Sequence, residues 1–431
     1  MNYQEDQEYG SNPNNKSKKI IALIVSIVII AIACIVIFNR KTPEAPSAAE
    51  EEALDFTWIK SVEDFQLLKD SGEKFKLAND IDFSGVTTWE PIVFSGELDG
   101  NGHRLLNITF PCMFSENNGT IKNLTVSNLH LDYLDSQDHP HIGMVINNKG
   151  TISHCSVTQS TLKSAYSFGF FAVYNSGIVE DCSVTESGIS EGYIEGGGIV
   201  FQNDTEGRIL RCYTNMTFQL FGRLEFGGIV KNNYGTVSAC YSGSSIDAEI
   251  ANHGNSIRVE ATVVVGGIAS HNDARIEECY SVLQMNVLSV ARNESPLSGV
   301  HGSYAISDLR AGGIAGSNLG EIVNCFADVN LLTKVDGSDK NNSKKELILN
   351  NYTGYLHGYS VSEYESGTLQ NSYYSQSSTV SAQKQDKTVA HNEDGIQASE
   401  ADLRSQSFCT GTLGWNADNW VFSSSGYPTL K

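Results

Sequence analysis

Asp135, Asp138, His139 and His141 fall within seven positions of one another. Carboxylates and imidazoles are ligands for hard and borderline cations, so this group is a candidate metal site; its plain reading is a solvated polar loop. Asp80 and Asp82 alternate along a strand-like run and point the same way, and Asp99 and Asn101 follow in an Asp-Gly-Asn-Gly turn. Such residues could serve as an acid–base pair for polysaccharide cleavage. They could also bind calcium, although the run fails the EF-hand pattern at its fifth position. The structural reading is turn formation and corner hydrogen bonding. A third group is aromatic: Tyr352, Tyr355, Tyr359 and Tyr364, followed by Tyr373 and Tyr374. Tyrosines stack on sugars or anchor a protein partner, or here pack the final part of the fold. There is no Gly-x-Ser-x-Gly, phosphate loop or dinucleotide fingerprint, so no catalytic residue and no cofactor is assigned.

The elements that would hold these groups come from an internal repeat. Its second half reads Gly119-TIKNLTV, Gly150-TISHCSV, Gly177-IVEDCSV, Gly207-RILRCYT, Gly235-TVSACYS, Ala274-RIEECYS, Gly320-EIVNCFA and Gly367-TLQNSYY, eight copies in all. A glycine and an apolar run precede most copies, as at Gly143, Gly228, Gly267 and Gly313, each seven residues before the next marker. Cys155, Cys182, Cys212, Cys240, Cys279 and Cys325 are separated by 27, 30, 28, 39 and 46 residues. A fixed unit joined by variable connections is the mark of a solenoid with loops on one face. The runs are short, β-branched and bounded by turns such as Asn118-Gly119. Within a unit, Ile152 and Cys155 are both apolar, although a straight strand would send them to opposite sides. A corner between them resolves this. Asn123, Asp181, Asn324 or Asn371 stands there in four of the eight copies, and Asn and Asp tolerate left-handed backbone. The fold predicted is all-β: a right-handed parallel β-helix of about eight coils with short capping helices.

The caps are expected at Ser61-Val62-Glu63-Asp64 and Ser399-Glu400-Ala401-Asp402, both helix-start patterns. Insertions lengthen toward the C-terminus, at Ala248 to Val263, Leu288 to Asp308 and Leu331 to Leu347, and are read as loops. Six of the cysteines share one repeat position and would form an inward column of buried thiols. A disulfide is the alternative; a metal is disfavoured because no Cys-x-x-Cys occurs.

The chain has 431 residues and a formal charge of −21. That balance excludes nucleic acid as a partner, because phosphate neutralisation needs clustered Lys and Arg. Ile20–Phe38 is an uncharged run of 19 residues. As a helix it would span roughly 28 Å, about one bilayer core. Lys16, Lys18 and Lys19 before it, against Arg40 and Lys41 after it, favour a cytoplasmic N-terminus. A cleaved signal peptide or a lipoprotein box at Cys34 are the alternatives. The expected organisation is a cytoplasmic tail (1–19), a transmembrane helix (20–38), a stalk (39–55), the β-helix with its N-terminal cap (56–374), a flexible segment (375–398) and a C-terminal cap (399–431).

Phe75-KLANDIDFSG, Trp89-EPI, Phe94-SGELDGNGHRLLNI and Ile121-KNLTV follow one another closely, and Gly312 to Gly320 and Trp420-VFSSSGYPTL occur later. These runs resemble the non-catalytic N-terminal β-helix region of immunoglobulin A metalloproteases and related GLUG-repeat bacterial surface proteins. The resemblance implies an adhesin-like β-helix displayed outside a bacterial cell. Protease activity is not implied, since no His-Glu-x-x-His occurs. The expectation is a single-pass cell-membrane protein with the bulk of the chain extracellular, binding a glycan or glycoprotein or acting as a scaffold, without catalysis. A β-helical polysaccharide-degrading enzyme and a spacer subunit of an envelope complex are the alternatives.

Overall fold

The computed structural model describes residues 55–133, 140–221, 223–254, 258–293, 304–339, 347–358, 367–391, 394–423 and 425–431. Thr57–Lys431 forms one compact unit. It is built from strands that pair in parallel with the equivalent strand one coil away, in four long sheets. Sheet A runs from Thr57–Ile59 to Thr368–Gln370, sheet B from Ile81–Asp82 to Ile396–Ala398, sheet C from Ile92–Phe94 to Ala315–Asn318, and sheet D from Ala165–Gly169 to Leu347–Gly354. A full coil visits D, C, A and B in turn, as in Ala165–Gly169, Ala172–Asn175, Ile178–Glu180 and Ser183–Ile189. Sheet A counts eleven rungs among the described residues, against about eight expected. The additional rungs, Thr57–Ile59, Lys74–Leu77 and Glu97–Asp99, precede the first recognisable repeat.

Two corners explain the repeat. Between sheets A and B the backbone turns left-handed at Asn123, His154, Asp181, Arg211, Ala239, Glu278, Asn324 and Asn371 (φ 47–55°). All eight copies make the turn, including three, at Arg211, Ala239 and Glu278, whose side chains have no special tolerance for it. There the geometry of the coil overrides local preference, at about 1–2 kcal/mol per residue. Between sheets C and A the marker glycines are demanded by close approach: a Cβ on Gly119 or Gly150 would lie 2.0 Å from the carbonyl oxygen of the glycine one coil below.

Inside the C-to-A corner runs a chain of buried asparagines. The Nδ2 of Asn117 donates to Oδ1 of Asn148 at 2.8 Å, Asn148 to Asn175 at 2.8 Å, and Asn175 to Asn203 at 2.8 Å. Asn203 donates to Asn233 at 3.0 Å, Asn233 to Asn272 at 2.8 Å, and Asn272 to Asn318 at 2.7 Å. Most remaining amide hydrogens go to backbone carbonyls, as from Asn175 to Gly177 at 3.2 Å; the Nδ2 of Asn318, at the end of the chain of amides, is buried without a protein partner among the described residues. The cysteine column flanks the other corner. Cys155, Cys182, Cys212, Cys240, Cys279 and Cys325 carry free, buried thiols. Each Sγ meets the carbonyl two residues earlier, at 3.1–3.3 Å. Ser372 takes the position in the last copy with the same contact at 3.0 Å.

Several expectations change. The described parts of the three late insertions are strands, not loops: Tyr241–Gly254, Tyr280–Asn293 and Phe326–Asp339 run 14 residues each in sheet B. Their inward positions, such as Ile246, Ala248 and Ile250, are buried while Asp247 and Glu249 face out, a period of two that supports strand. Ser- and Gln-rich residues read as flexible include Thr379–Lys384, which pairs with Asn330–Val335 in sheet B. An edge rung needs backbone hydrogen bonds more than apolar side chains. Ser399–Lys431 spread back along the flank of sheet B. There Tyr213, Tyr241, Tyr280 and Phe326 stack at 4.9, 5.0 and 4.8 Å. Trp415 and Trp420 cover them, and Tyr427 donates to Asp328 at 2.7 Å.

The single-pass membrane anchor is corrected. Among the described residues no helix is long and apolar enough to cross a membrane. Helices such as Glu63–Leu68 and Ser407–Thr412 have six residues, against about 20 needed. Ile20–Phe38 itself lies outside the described residues.

Asn175→Ala should cost roughly 3 kcal/mol in urea unfolding, since it strips the Asn148 amide of an acceptor and the buried Asn203 oxygen of a donor. Exposed Asn118→Ala, one residue from the chain of amides, should cost no more than about 0.5 kcal/mol.

Candidate functional site

Among the described residues, those singled out from sequence do not converge. Asp135, Asp138 and His139 lie outside the described residues; His141 is exposed and meets the Tyr174 ring edge-on at 5.6 Å. Among the described residues no group of three or more His, Cys, Asp or Glu is placed to hold a metal. Asp80 holds the Arg104 backbone N–H and Nε, both at 2.9 Å. Asp82 accepts from Asn107 at 2.8 Å and the Ser84 N–H at 2.9 Å. These hydrogen bonds hold both carboxyls below the usual carboxylate range. Asp99 accepts from the Asn101 N–H at 2.8 Å and Asn123 at 3.0 Å. All three are corner fasteners. Tyr355 stacks on Tyr374 at 4.1 Å, and both pack against the core. Tyr352 lies in register with Arg310 on sheet D. Tyr359 and Tyr364 are outside the described residues.

Two features come from the change in coil length instead. In sheet B, Phe221 pairs with Glu249, and in sheet D, Leu224 pairs with Val263. Ile250–Gly254 and Arg258–Thr262 therefore project past the shorter coil beneath them. The long coils form a two-layered blade, closed inside by pairs such as Ser289 with Ser307 at 2.7 Å. Under the overhang is a recess of about 380 Å³, lined by Tyr193, Arg223, Asn252, Glu260 and Thr262 among others. Tyr193 is 46% exposed and lies on Tyr166, centroids 5.5 Å apart and planes 22° from parallel.

Beside the recess, where sheets C and D meet, charges are packed together. Lys231 Nζ lies 3.2 Å from Glu195 and 2.9 Å from Glu225. Arg223 Nε reaches Glu195 at 3.2 Å and Glu225 at 3.1 Å. Burial alone would push Glu225 upward, but Lys231 and Arg223 outweigh it and hold the carboxyl down at about 2. Burial pulls His271 down to about 4, with Glu225 opposing and Lys231 and Arg310 assisting. His271 Nδ1, Asp308 Oδ1 and Arg310 Nε are buried without a protein partner. At neutral pH Glu225 is thus a fixed anion and His271 a neutral ring, so neither serves as a proton donor near pH 7.

Sequence reasoning missed this site because its members come from five coils. The available signal was the jump in unit length after Cys240, together with the Glu195, Arg223, Glu225 and Lys231 charges beside the repeat glycines.

No family model matches the chain, and no curated protein matches it. Among solved structures, it is similar to a chain described as "putative immunoglobulin A1 protease" from Bacteroides ovatus. Identity is 17% and the TM-score 0.43, over 87% of this chain and 91% of that one. A second structure, described as "IgA1 Protease", is 15% identical with a TM-score of 0.39 over 86% of this chain. This chain spans a quarter of that one's length. The resemblance drawn from the sequence points to the same kind of chain. At these identities and scores the likeness says nothing about activity.

Because His271 falls from 6.5 when unfolded to about 4 when folded, the folded state binds fewer protons between those values. Its stabilising contribution is complete above pH 6.5 and is lost as pH falls toward 4. Urea unfolding of His271→Gln should show a shallower loss of stability than the parent between pH 6.5 and 4.

Proposed function

We propose that this chain is a non-catalytic binding or scaffolding solenoid, adhesin-like in its mode of action, whose partner is a glycan or glycoprotein. The observation that carries the reading is the recess beneath the overhanging coils. It opens at the step between short and long coils, and it offers an exposed aromatic ring beside planar polar side chains. That mixture of one apolar face and several convergent polar groups suits a small ligand or the end of a larger one.

A second reading, a β-helical polysaccharide-degrading enzyme, is favoured by Glu195 and Glu225 paired with Lys231 and Arg223 beside the recess. Hydrolysis of a glycosidic bond needs one carboxylic acid kept protonated near neutral pH. Glu225 is held in the opposite direction. Both carboxylates are also engaged by the same lysine, which supports binding over catalysis. Action as a spacer in a larger assembly would use the rod and leave the recess idle.

The chain should retain glycans or glycoproteins on an immobilised panel and release no reducing sugar or unsaturated product from polysaccharides incubated with it. Product release that disappears in Glu225→Gln would replace this reading with the enzymatic one.

A further inference from the structure

Resting on the binding reading, we infer that the overhang holds the polypeptide of a glycoprotein partner, as an extended segment that adds one strand to sheet B beneath residues 250–254. Three observations select this occupant. The first is the direction of the backbone groups. The Tyr241 N–H donates to the Cys212 carbonyl, 3.1 Å away on the coil below, whereas the Cys240 carbonyl accepts from Tyr280 on the coil above, also at 3.1 Å. These directions alternate along a parallel strand, and Tyr241–Gly254 keeps register with the strand above it without a shift. Ala251 and His253 therefore turn their N–H and C=O groups downward. Among the described residues the strand below ends at Phe221, opposite Glu249. The groups beyond it face the recess instead of a rung.

The second is a contrast between the two overhanging edges. In sheet D the Gly266 carbonyl accepts from Gly228 below at 3.1 Å, so Thr262 and Glu260, at even spacing from it, face the same side. There the Asn252 carboxamide donates to the Glu260 carbonyl at 2.7 Å and takes an acceptor that an incoming strand would need. The sheet B edge carries none of the usual devices that close an edge. Residues 250–254 include no proline, no lysine and no shift in register, and exposed Ala251 presents only a methyl group to an arriving chain.

The third is the space. The recess of about 380 Å³ lies along this edge, with Ile250, Ala251 and Asn252 in its wall. Ile250 and Ala261, both buried, give it an apolar lining. An added strand alternates its side chains between two faces. One set turns toward Ile250 and Ala261, which suits apolar residues. The other turns outward on the face that carries the exposed Glu249, which suits lysine or arginine on a chain of net charge −21. The occupant is thus an extended segment of about five residues in which apolar and basic side chains alternate.

The test selects random nonapeptides displayed on phage against the full chain and makes the enriched sequences as free peptides. Apolar and basic residues should alternate in them. Methylation of the backbone nitrogens at one alternate set of residues should weaken binding about tenfold, and at the other set no more than about twofold, because a strand on one edge pairs along one side only. Ala251→Pro should also weaken binding about tenfold, since the ring removes an N–H aimed at the vacant side and leaves the ladder to the coil above intact. Ala251→Ser should hold within about twofold, and neither substitution should move the thermal midpoint. If Ala251→Pro lowers the midpoint, the methylated peptides decide alone. Peptides that bind parent and Ala251→Pro equally, or that lose the same affinity from either methylated set, would overturn the inference. Retention of glycans with no peptide enriched would do so too, and would leave the binding reading standing. Silence toward peptides, glycans and glycoproteins alike would overturn both.

Discussion

Seven asparagine carboxamides, each donating to the next, determine where one coil lies upon another. A parallel sheet rung can in principle slip by two residues and keep its faces. A buried amide cannot, because a slip would leave its donors and acceptors unpaired in a dry interior, at a cost of about 1–3 kcal/mol per group. Interlocking amides thus act as the register key of the molecule. The glycine two residues beyond most of them follows from the close approach of the carbonyl one coil below, although Ala274 shows that one coil admits a Cβ there.

With register held at one corner, the rest of each coil is free to vary in length. The sheet B strands grow from Ser183–Ile189 to the 14 residues of Tyr241–Gly254 without disturbing the corners. The sudden lengthening creates an overhang, and the overhang creates the recess. The same variation brings Glu195, Arg223, Glu225, Lys231 and His271 against one another across two sheets. There, mutual pairing keeps buried charges compensated, a requirement for their presence at all. Binding geometry in this fold is therefore a by-product of differences between neighbouring coils, rather than of any one coil.

What could be read from the residues follows the same division. The stacking of coils was legible because Cys155 through Cys325 mark one position repeatedly. The left-handed corner was legible from Asn and Asp at four copies, although Arg211 and Ala239 make the same turn without advertising it. The amide chain was present as Asn-x-Gly before most repeats, yet it looked like ordinary turn chemistry; only burial distinguishes Asn117 from exposed Asn118. The long insertions carried a period of two and still read as loops, because their polar outer residues dominate the composition. The recess was not legible, since Tyr193, Arg223, Asn252 and Glu260 are joined by stacking, not by spacing. Of the tyrosine cluster, Tyr355 and Tyr374 partner each other and pack the final coils, one of the two readings their sequence allowed.

The stacking of coils in register is most directly tested by a cysteine pair across one rung. Thr125 and Ser156 are 31 residues apart, and their hydroxyl oxygens lie 2.8 Å from each other on adjacent coils. Oxidation of Thr125→Cys with Ser156→Cys should form a disulfide in the native chain, read as a mobility shift reversed by reductant. Thr125→Cys with Val157→Cys should not, because Val157 is buried inside the coil. Crosslinking of the second pair in preference to the first would contradict the register on which the fold, the overhang and the recess all rest.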